Sequence, residues 1–276
     1  MKNLVPLKRK KYYWDEIVSR KRPVTFRARL LAIRPLVIAR FRVYSNHTAP
    51  NTLEVIGASP FGPRNTTRLK TCYKPSTRLS SLKKKIINSQ NKILRAECQY
   101  CNISEPTTFD HYLPQRYFSE FSALSINLIP CCSKCNTEKG EEWLLPNGQR
   151  RIINLYYDTL PNVQYLNCMI TFNAAVPRVI YTINHAVIPL PFRNTIVSHY
   201  GVLLLTERYR EKSNSEITDV LNSIVPLVGI LTRAQIQAHL IAEATSMQAI
   251  RGLNYWRAIL KLALANSPTF LTNAGY

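Results

Sequence analysis

The sequence predicts an α+β fold, in which a small cysteine-stapled module lies between a basic N-terminal region and a mixed, mainly helical C-terminal region. Two CxxC pairs are separated by 30 residues near the middle of the chain. Short alternating apolar patterns on both sides of the pairs predict hairpins, and helix-length apolar patterns with capping signals follow towards the end. We place the three regions at residues 1–96, 97–145 and 146–276.

The composition predicts a globular protein without membrane segments. A chain of 276 residues with 46% hydrophobic residues can bury a sizeable core. Its longest apolar runs, such as GVLLL at 201–205, are far shorter than the ~20 residues of a membrane helix. Because no apolar stretch follows the basic start as in a secretion signal, we expect a cytoplasmic protein. In that reducing compartment the seven cysteines are expected to be metal ligands or free thiols rather than disulfides.

Positive charge is concentrated at the N-terminal end. Residues 1–97 contain 23 Lys and Arg against 4 Asp and Glu, a balance of +19, whereas residues 98–276 contain 14 against 12, a balance of +2. Basic runs interleaved with aromatic residues suit a polyanion, because cations pair with phosphate and rings stack on bases. This distribution favours a nucleic-acid partner over mere solubility or an acidic protein partner. The candidate contacts are Lys8, Arg9, Lys10, Lys11, Lys83, Lys84 and Lys85.

Two patterns describe the N-terminal region. Residues 24–45 alternate partially on either side of Pro35, which favours a β-hairpin with basic side chains on one face, with a helix as the open alternative. Residues 77–96 place leucine and isoleucine at helical spacing after a cap at Ser76 or Thr77. The second pattern predicts an amphipathic helix with a basic outer face that leads into the cysteines.

The C-terminal region combines a hairpin with helices. QYLNCMITFN followed by RVIYTI predicts a second hairpin across Pro177. Ser213 with Glu216, and Thr232 with Gln235, have the spacing of capping boxes, and each precedes a helix-length apolar pattern. A last amphipathic helix is expected near the end of the chain.

Cysteine spacing predicts a structural zinc site. Two CxxC pairs complete the tetrahedral thiolate shell of such a site, and its ligands are Cys98, Cys101, Cys132 and Cys135. Cys131 is an alternative ligand, but the CxxC spacing favours Cys132. The interval between the pairs exceeds the ~15–20 residues of a simple zinc ribbon, so a further element lies inside the loop. Within that insertion we expect Glu120 at the surface and Tyr112 and Phe118 packed.

The insertion carries a recognisable motif. TTFDHYLPQ at 107–115 contains an acid-histidine pair followed by proline, and it is followed by Asn-Leu-x-Pro and then by CxxC-Asn-x-x-Lys-Gly. This combination resembles the HNH nucleases of the ββα-metal or His-Me finger superfamily, which include the HNH domain of RNA-guided CRISPR effectors. The upstream CxxC pair is similar to that of the zinc-containing subgroup. The resemblance covers about 45 of the 276 residues.

The resemblance implies a role for each motif residue. Asp110 is implied as a metal ligand, His111 as the general base, Asn127 as the residue that fixes the loop between the strands, and Asn136 as the last ligand. Many members have His at the last position, but an Asn carbonyl also ligates a hard cation, so Mg²⁺ or Mn²⁺ is the expected catalytic metal. Lys139 shares a helix face with Asn136 and is a candidate phosphate contact, with a solvated side chain as the alternative.

These residue types suit phosphodiester hydrolysis. The reaction needs an activated water, an electrophile on the phosphoryl oxygens and stabilisation of the leaving oxygen. A neutral imidazole with an ordinary pKa of ~6.5 is a base near working pH, and one hard cation supplies the other two functions. The resemblance therefore implies a metal-dependent endonuclease that leaves 5′-phosphate and 3′-hydroxyl ends, with DNA favoured over RNA.

Other functions stay open at this point. A zinc-stabilised nucleic-acid-binding protein without catalysis would use Asp110 and His111 only to tie down a turn, and a scaffold subunit would use its basic N-terminus to meet an acidic protein. INLYYD at 153–158 and the helical end loosely resemble stand-alone bacterial HNH proteins, some of them in anti-phage or mobile-element systems beside an ATPase. That resemblance implies an ATPase-like partner at the C-terminal helices, which otherwise only complete the core.

Overall fold

A computed structural model describes residues 1–7, 13–174 and 176–276. The predicted nucleic-acid contacts Lys8, Arg9, Lys10 and Lys11 lie outside the described residues. Helices account for 54% of the described residues, whose strands form two small antiparallel pairs. The predicted α+β class is therefore confirmed. Among the described residues, no helix has the length and hydropathy needed to cross a lipid bilayer.

The chain divides into two compact units. The N-terminal unit comprises residues 3–100 and 104–159, and the C-terminal unit comprises residues 1–2, 101–103 and 160–276. The basic N-terminal region thus belongs to the same unit as most of the segment in which the zinc-stapled finger is predicted.

Six helices precede the first strand in the described part of the N-terminal unit. They are α1 (Tyr13–Val18), α2 (Val24–Ala32), α3 (Arg34–Asn46), α4 (Pro63–Lys70), α5 (Thr77–Asn88) and α6 (Lys92–Arg95).

The hairpin predicted at 24–45 is wrong, because this segment forms α2 and α3. The spacing i, i+1, i+4 and i+7 places the buried apolar residues of α3 on one helical stripe: Val37, Ile38, Phe41 and Tyr44. Pro35 lies in the first turn of α3, where its missing N–H has no intrahelical partner to lose. Pro35, which suggested a hairpin turn, therefore lies at the start of a helix.

The helix predicted after Ser76 is confirmed in its first three turns. The Ser76 side chain accepts a hydrogen bond of 3.2 Å from the backbone N–H of Leu79, and α5 begins at Thr77. The helix ends at Asn88, and a new short helix begins after Asn91, whose side chain accepts a hydrogen bond from a first-turn N–H. This second cap divides the segment that the periodicity predicts as one helix.

A strand–strand–helix element follows. Strand β1 (Thr108–His111) pairs antiparallel with β2 (Leu128–Cys131), and helix α7 (Ser133–Lys139) follows β2 after one residue and packs on β1. In the register of the pair, Asp110 lies opposite Ile129 and His111 opposite Leu128. The order of elements from Thr108 to Lys139 is therefore ββα, with both strands inside the zinc loop and Cys135 on α7.

The C-terminal unit begins with the second predicted hairpin, which is confirmed. Strand β3 (Leu166–Asn173) pairs antiparallel with β4 (Val176–Ile183), and Pro177 lies within β4 opposite Phe172 rather than at the turn. Five helices follow: α8 (Leu190–Val202), α9 (Leu205–Ile224), α10 (Arg233–Arg251), α11 (Trp256–Ala265) and α12 (Pro268–Asn273).

One of the two predicted capping boxes is confirmed. The backbone N–H of Gln235 donates to the hydroxyl of Thr232 at 3.3 Å, and the backbone N–H of Thr232 donates to Oε1 of Gln235 at 2.8 Å, at the start of α10. The box at Ser213 is wrong. Ser213 is buried in the middle of α9, where its hydroxyl donates to the carbonyl of Tyr209 at 2.8 Å, a bonding mode that serine also adopts inside helices.

Candidate active site and cysteine cluster

Four buried cysteines converge at the start of the ββα element. The sulfur atoms of Cys98, Cys101, Cys132 and Cys135 all lie within 4.8 Å of one another. Thiolates at ~2.3 Å around one zinc ion are spaced by about 3.8 Å, so the cluster can hold a zinc ion with small adjustments. The choice of Cys132 over Cys131 is confirmed, because the Cys131 thiol lies outside the cluster and 3.5 Å from the hydroxyl of Thr108.

The local structure around the cysteines explains their convergence. Cys132 is the N-cap of α7, and its sulfur accepts a hydrogen bond of 3.4 Å from the backbone N–H of Cys135. After the first pair, Asn102 adopts a positive φ of 53°, a conformation that asparagine tolerates better than most residues. Both pairs bring their sulfurs into the same cluster.

Asp110, at the end of β1, is buried and bonded through both carboxylate oxygens. Its Oδ1 accepts a hydrogen bond of 2.7 Å from Nζ of Lys139, and its Oδ2 accepts one of 2.9 Å from the hydroxyl of Tyr100. Lys139 also donates to the carbonyl of His111 at 2.9 Å, and only 1% of Lys139 is exposed. The structure therefore places Lys139 inside the N-terminal unit and not in solvent, as the partner of Asp110.

Replacing Lys139 with methionine is expected to destabilise the protein by about 3–5 kcal/mol, because it leaves the carboxylate of Asp110 buried without a cation. Urea unfolding of the purified variant measures this loss. The compound variant Asp110→Asn with Lys139→Met removes both charges and should recover most of the stability. A loss below about 1 kcal/mol in the single variant would show that Asp110 is solvated in solution.

His111 is held with one ring nitrogen on a backbone carbonyl. Its Nε2 lies 3.0 Å from the carbonyl of Ser122, which can only accept, so Nε2 carries the proton and Nδ1 carries the lone pair. The side-chain amide of Gln115 lies 3.0 Å from the same Nε2, and with the amide rotated by 180° its oxygen also accepts from that N–H. The ring of Tyr73 meets the His111 ring edge-on, with centroids 4.3 Å apart.

Burial keeps this imidazole neutral. Desolvation lowers the pKa of His111 to about 4, although the hydrogen bond to Ser122 and the charge of Asp110 oppose the shift. His111 is therefore uncharged at neutral pH, with a lone pair on Nδ1 that can accept a proton.

Asn127 holds the loop that connects β1 to β2. Its Oδ1 accepts a hydrogen bond of 2.8 Å from the backbone N–H of Leu113, and its Nδ2 donates to the carbonyls of Leu113 at 3.1 Å and Phe121 at 3.3 Å. The residue is completely buried. These contacts position the chain just after His111, so Asn127 acts on the geometry of the site and not on a substrate.

Asn136 lies on α7 one turn before Lys139, and so on the same helix face. It is half-buried, and its side-chain amide makes no hydrogen bond to any of the residues that the structure describes. Its carbonyl oxygen is thus left for a ligand. Together β1 and α7 bring Asp110, His111 and Lys139 into contact, with Asn136 on the adjoining helix face.

The motif does not predict the roles of three residues near the site. Tyr100 bonds Asp110, and Tyr73 contacts His111. The expectation that Glu120 lies at the surface is wrong: it is fully buried, and its carboxylate accepts hydrogen bonds from Nε of Arg40 at 2.8 Å and from the hydroxyl of Ser59 at 2.7 Å. Tyr112 and Phe118 pack as predicted, with 1% and 4% of their surface exposed.

Comparison with known proteins gives one informative likeness. The chain is 28% identical over 191 residues to the protein ea31 of Escherichia phage lambda, and the match spans 63% of each chain. No protein-family model matches the chain, and no solved structure matches it. The name of the phage protein states no activity.

Proposed function

We propose that the chain is a divalent-metal-dependent endonuclease of the HNH type, which hydrolyses phosphodiester bonds and acts on DNA in preference to RNA. The observation that carries the proposal is the state of His111. The hydrogen bond from Nε2 to the Ser122 carbonyl leaves Nδ1 as the basic nitrogen of the ring. A general base in this state accepts a proton from a water molecule that attacks phosphorus.

Asp110 and Asn136 are the residues that would hold the catalytic cation. Both offer oxygen donors, which suit Mg²⁺ or Mn²⁺ better than softer metals. Each oxygen of Asp110 accepts one hydrogen bond in the structure, and a carboxylate oxygen has a second lone pair for a ligand. When bound, a hard cation stabilises charge on the phosphoryl and leaving oxygens.

The basic N-terminal region supports a nucleic-acid substrate. Its +19 balance over residues 1–97 gives affinity for phosphate without sequence specificity. On α5, Lys84 is exposed, while Lys85 lies 5.3 Å above the ring of Tyr13. The partner implied for the C-terminal helices, such as an ATPase, stays a prediction, as does a role in anti-phage defence or in a mobile element.

A nicking assay tests the proposal. Purified protein is incubated with supercoiled plasmid, single-stranded DNA and RNA in Mg²⁺, in Mn²⁺ or in EDTA. We expect cutting that requires the divalent cation and is stronger on DNA. Salt-sensitive binding with no cutting in either metal would contradict the proposal.

The second candidate function is a zinc-stabilised nucleic-acid-binding protein without catalysis. It is favoured by the bonds of Asp110 to Lys139 and Tyr100, which hold the end of β1 in place. Competition by duplex DNA distinguishes it from a scaffold that binds an acidic protein.

A further inference from the structure

We propose that Lys83 is a substrate-binding residue of the same site, whose ammonium group contacts the phosphate attacked beside His111, and that Tyr73 positions both side chains. The inference rests on the proposed endonuclease function. It assigns to α5 and to the turn before it a part of the site that the HNH-like motif does not contain.

The Tyr73 ring contacts both the proposed base, His111, and the ammonium group of Lys83. The centroid of the Tyr73 ring lies 4.3 Å from the centroid of the His111 ring and 4.3 Å from Nζ of Lys83. Lys83 Nζ and the His111 ring are therefore at most twice 4.3 Å, or about 8.6 Å, apart. A phosphate fits this interval if it accepts a hydrogen bond of ~2.8 Å from the ammonium and faces a water held ~3 Å from the imidazole.

Lys83 differs from the other lysines of its run. Its Nζ also lies 5.4 Å from the ring centroid of Phe109, the residue before Asp110, whereas Lys84 is exposed. Successive helical residues point about 100° apart, so only one of three consecutive lysines can face β1.

The surroundings of Lys83 favour an anionic ligand. The contacts found for it among the described residues are with two aromatic rings and not with a carboxylate. Burial lowers the pKa of Lys83, and an ammonium in such partly desolvated surroundings attracts a phosphate more strongly than one in open solvent. Tyr73 adds no competing charge, because burial raises the pKa of its phenol.

Two substitutions of Lys83 and one control test the proposal in the full chain. Lys83→Gln removes the charge, Lys83→Arg keeps it, and Lys212→Gln removes an equal charge from an exposed position on α9 of the C-terminal unit. Single-turnover nicking is measured at saturating DNA, and the DNA dissociation constant is measured in EDTA. Zinc content and the unfolding midpoint establish that each variant is folded.

We expect Lys83→Gln to lower the rate at saturation by about 10- to 100-fold, since the lost contact stabilises charge on the reacting phosphate. Its dissociation constant should change by less than about threefold, because one contact among many is removed. Lys83→Arg should restore part of the rate, and Lys212→Gln should stay near wild type. A saturated rate that is unchanged in Lys83→Gln would overturn the inference.

A binding readout separates this inference from the proposed function. If the wild type does not cut, the function fails, and the His111 ring signals in protein with labelled histidines then report on DNA directly. A short duplex should shift these signals in the wild type and in Lys212→Gln but not in Lys83→Gln. Signals that do not move in the wild type, or that move equally in Lys83→Gln, overturn the role of Lys83.

Discussion

Replacing His111 with alanine is expected to remove metal-dependent nicking, with a rate lowered by about 10²- to 10⁴-fold, the usual contribution of a positioned general base. Binding of DNA and retention of zinc should persist, because His111 belongs neither to the basic N-terminal region nor to the cysteine cluster. Nicking of supercoiled plasmid under single-turnover conditions measures the first effect, and fluorescence anisotropy with labelled duplex measures the second.

A matched control tests whether the loss of nicking is specific to His111. His185→Ala removes an exposed histidine of the C-terminal unit and should leave the rate unchanged. Because alanine at position 111 leaves a space beside Tyr73 and Ser122, added imidazole should restore part of the activity of a folded variant. Equal rates for His111→Ala and the wild type would favour the second candidate function, in which Asp110 and His111 only shape a turn.

The part of the site that depends on short-range spacing could be predicted from the sequence. CxxC spacing places two sulfurs on one side of a tight turn, and this is why the cluster contains Cys132 and not its neighbour Cys131. The ββα order of β1, β2 and α7 is implied only by the resemblance to the HNH nucleases and not by an apolar pattern. The Ser76 and Thr232 caps likewise depend on hydrogen bonds between residues three apart.

Contacts between distant residues could not be predicted in this way. Glu120 is buried because Arg40, 80 residues earlier, binds its carboxylate. No local sequence pattern predicts that pairing. The helix face shared with Asn136 makes Lys139 a candidate phosphate contact or a solvated lysine, but in the structure it bonds Asp110, 29 residues away. The hairpin predicted at 24–45 is wrong for a related reason. A partial alternation and a helical stripe share many apolar positions, so the sequence pattern alone does not distinguish a strand from a helix, and tertiary packing decides which one forms.

Loss of one cysteine ligand is expected to release zinc and unfold the ββα element. Cys98→Ser and Cys135→Ser each remove one thiolate from the buried cluster. Binding of a structural zinc ion supplies about 10–16 kcal/mol of folding free energy in small modules, and two strands of four residues each are too short to be stable alone. The measurements are zinc per chain by elemental analysis and the urea midpoint of unfolding.

Cys131→Ser is the control that distinguishes loss of a zinc ligand from loss of any buried thiol. It changes a buried thiol next to Cys132 but outside the cluster, so this variant should keep its zinc. Stoichiometric zinc in both Cys98→Ser and Cys135→Ser would contradict the four-cysteine assignment. Because α7 begins at Cys132 and carries Lys139 to Asp110, variants that lose zinc should also lose nicking although Asp110 and His111 are unchanged. Nicking that survives the loss of zinc would show that the base and its carboxylate neighbour are held by the helices of the N-terminal unit instead.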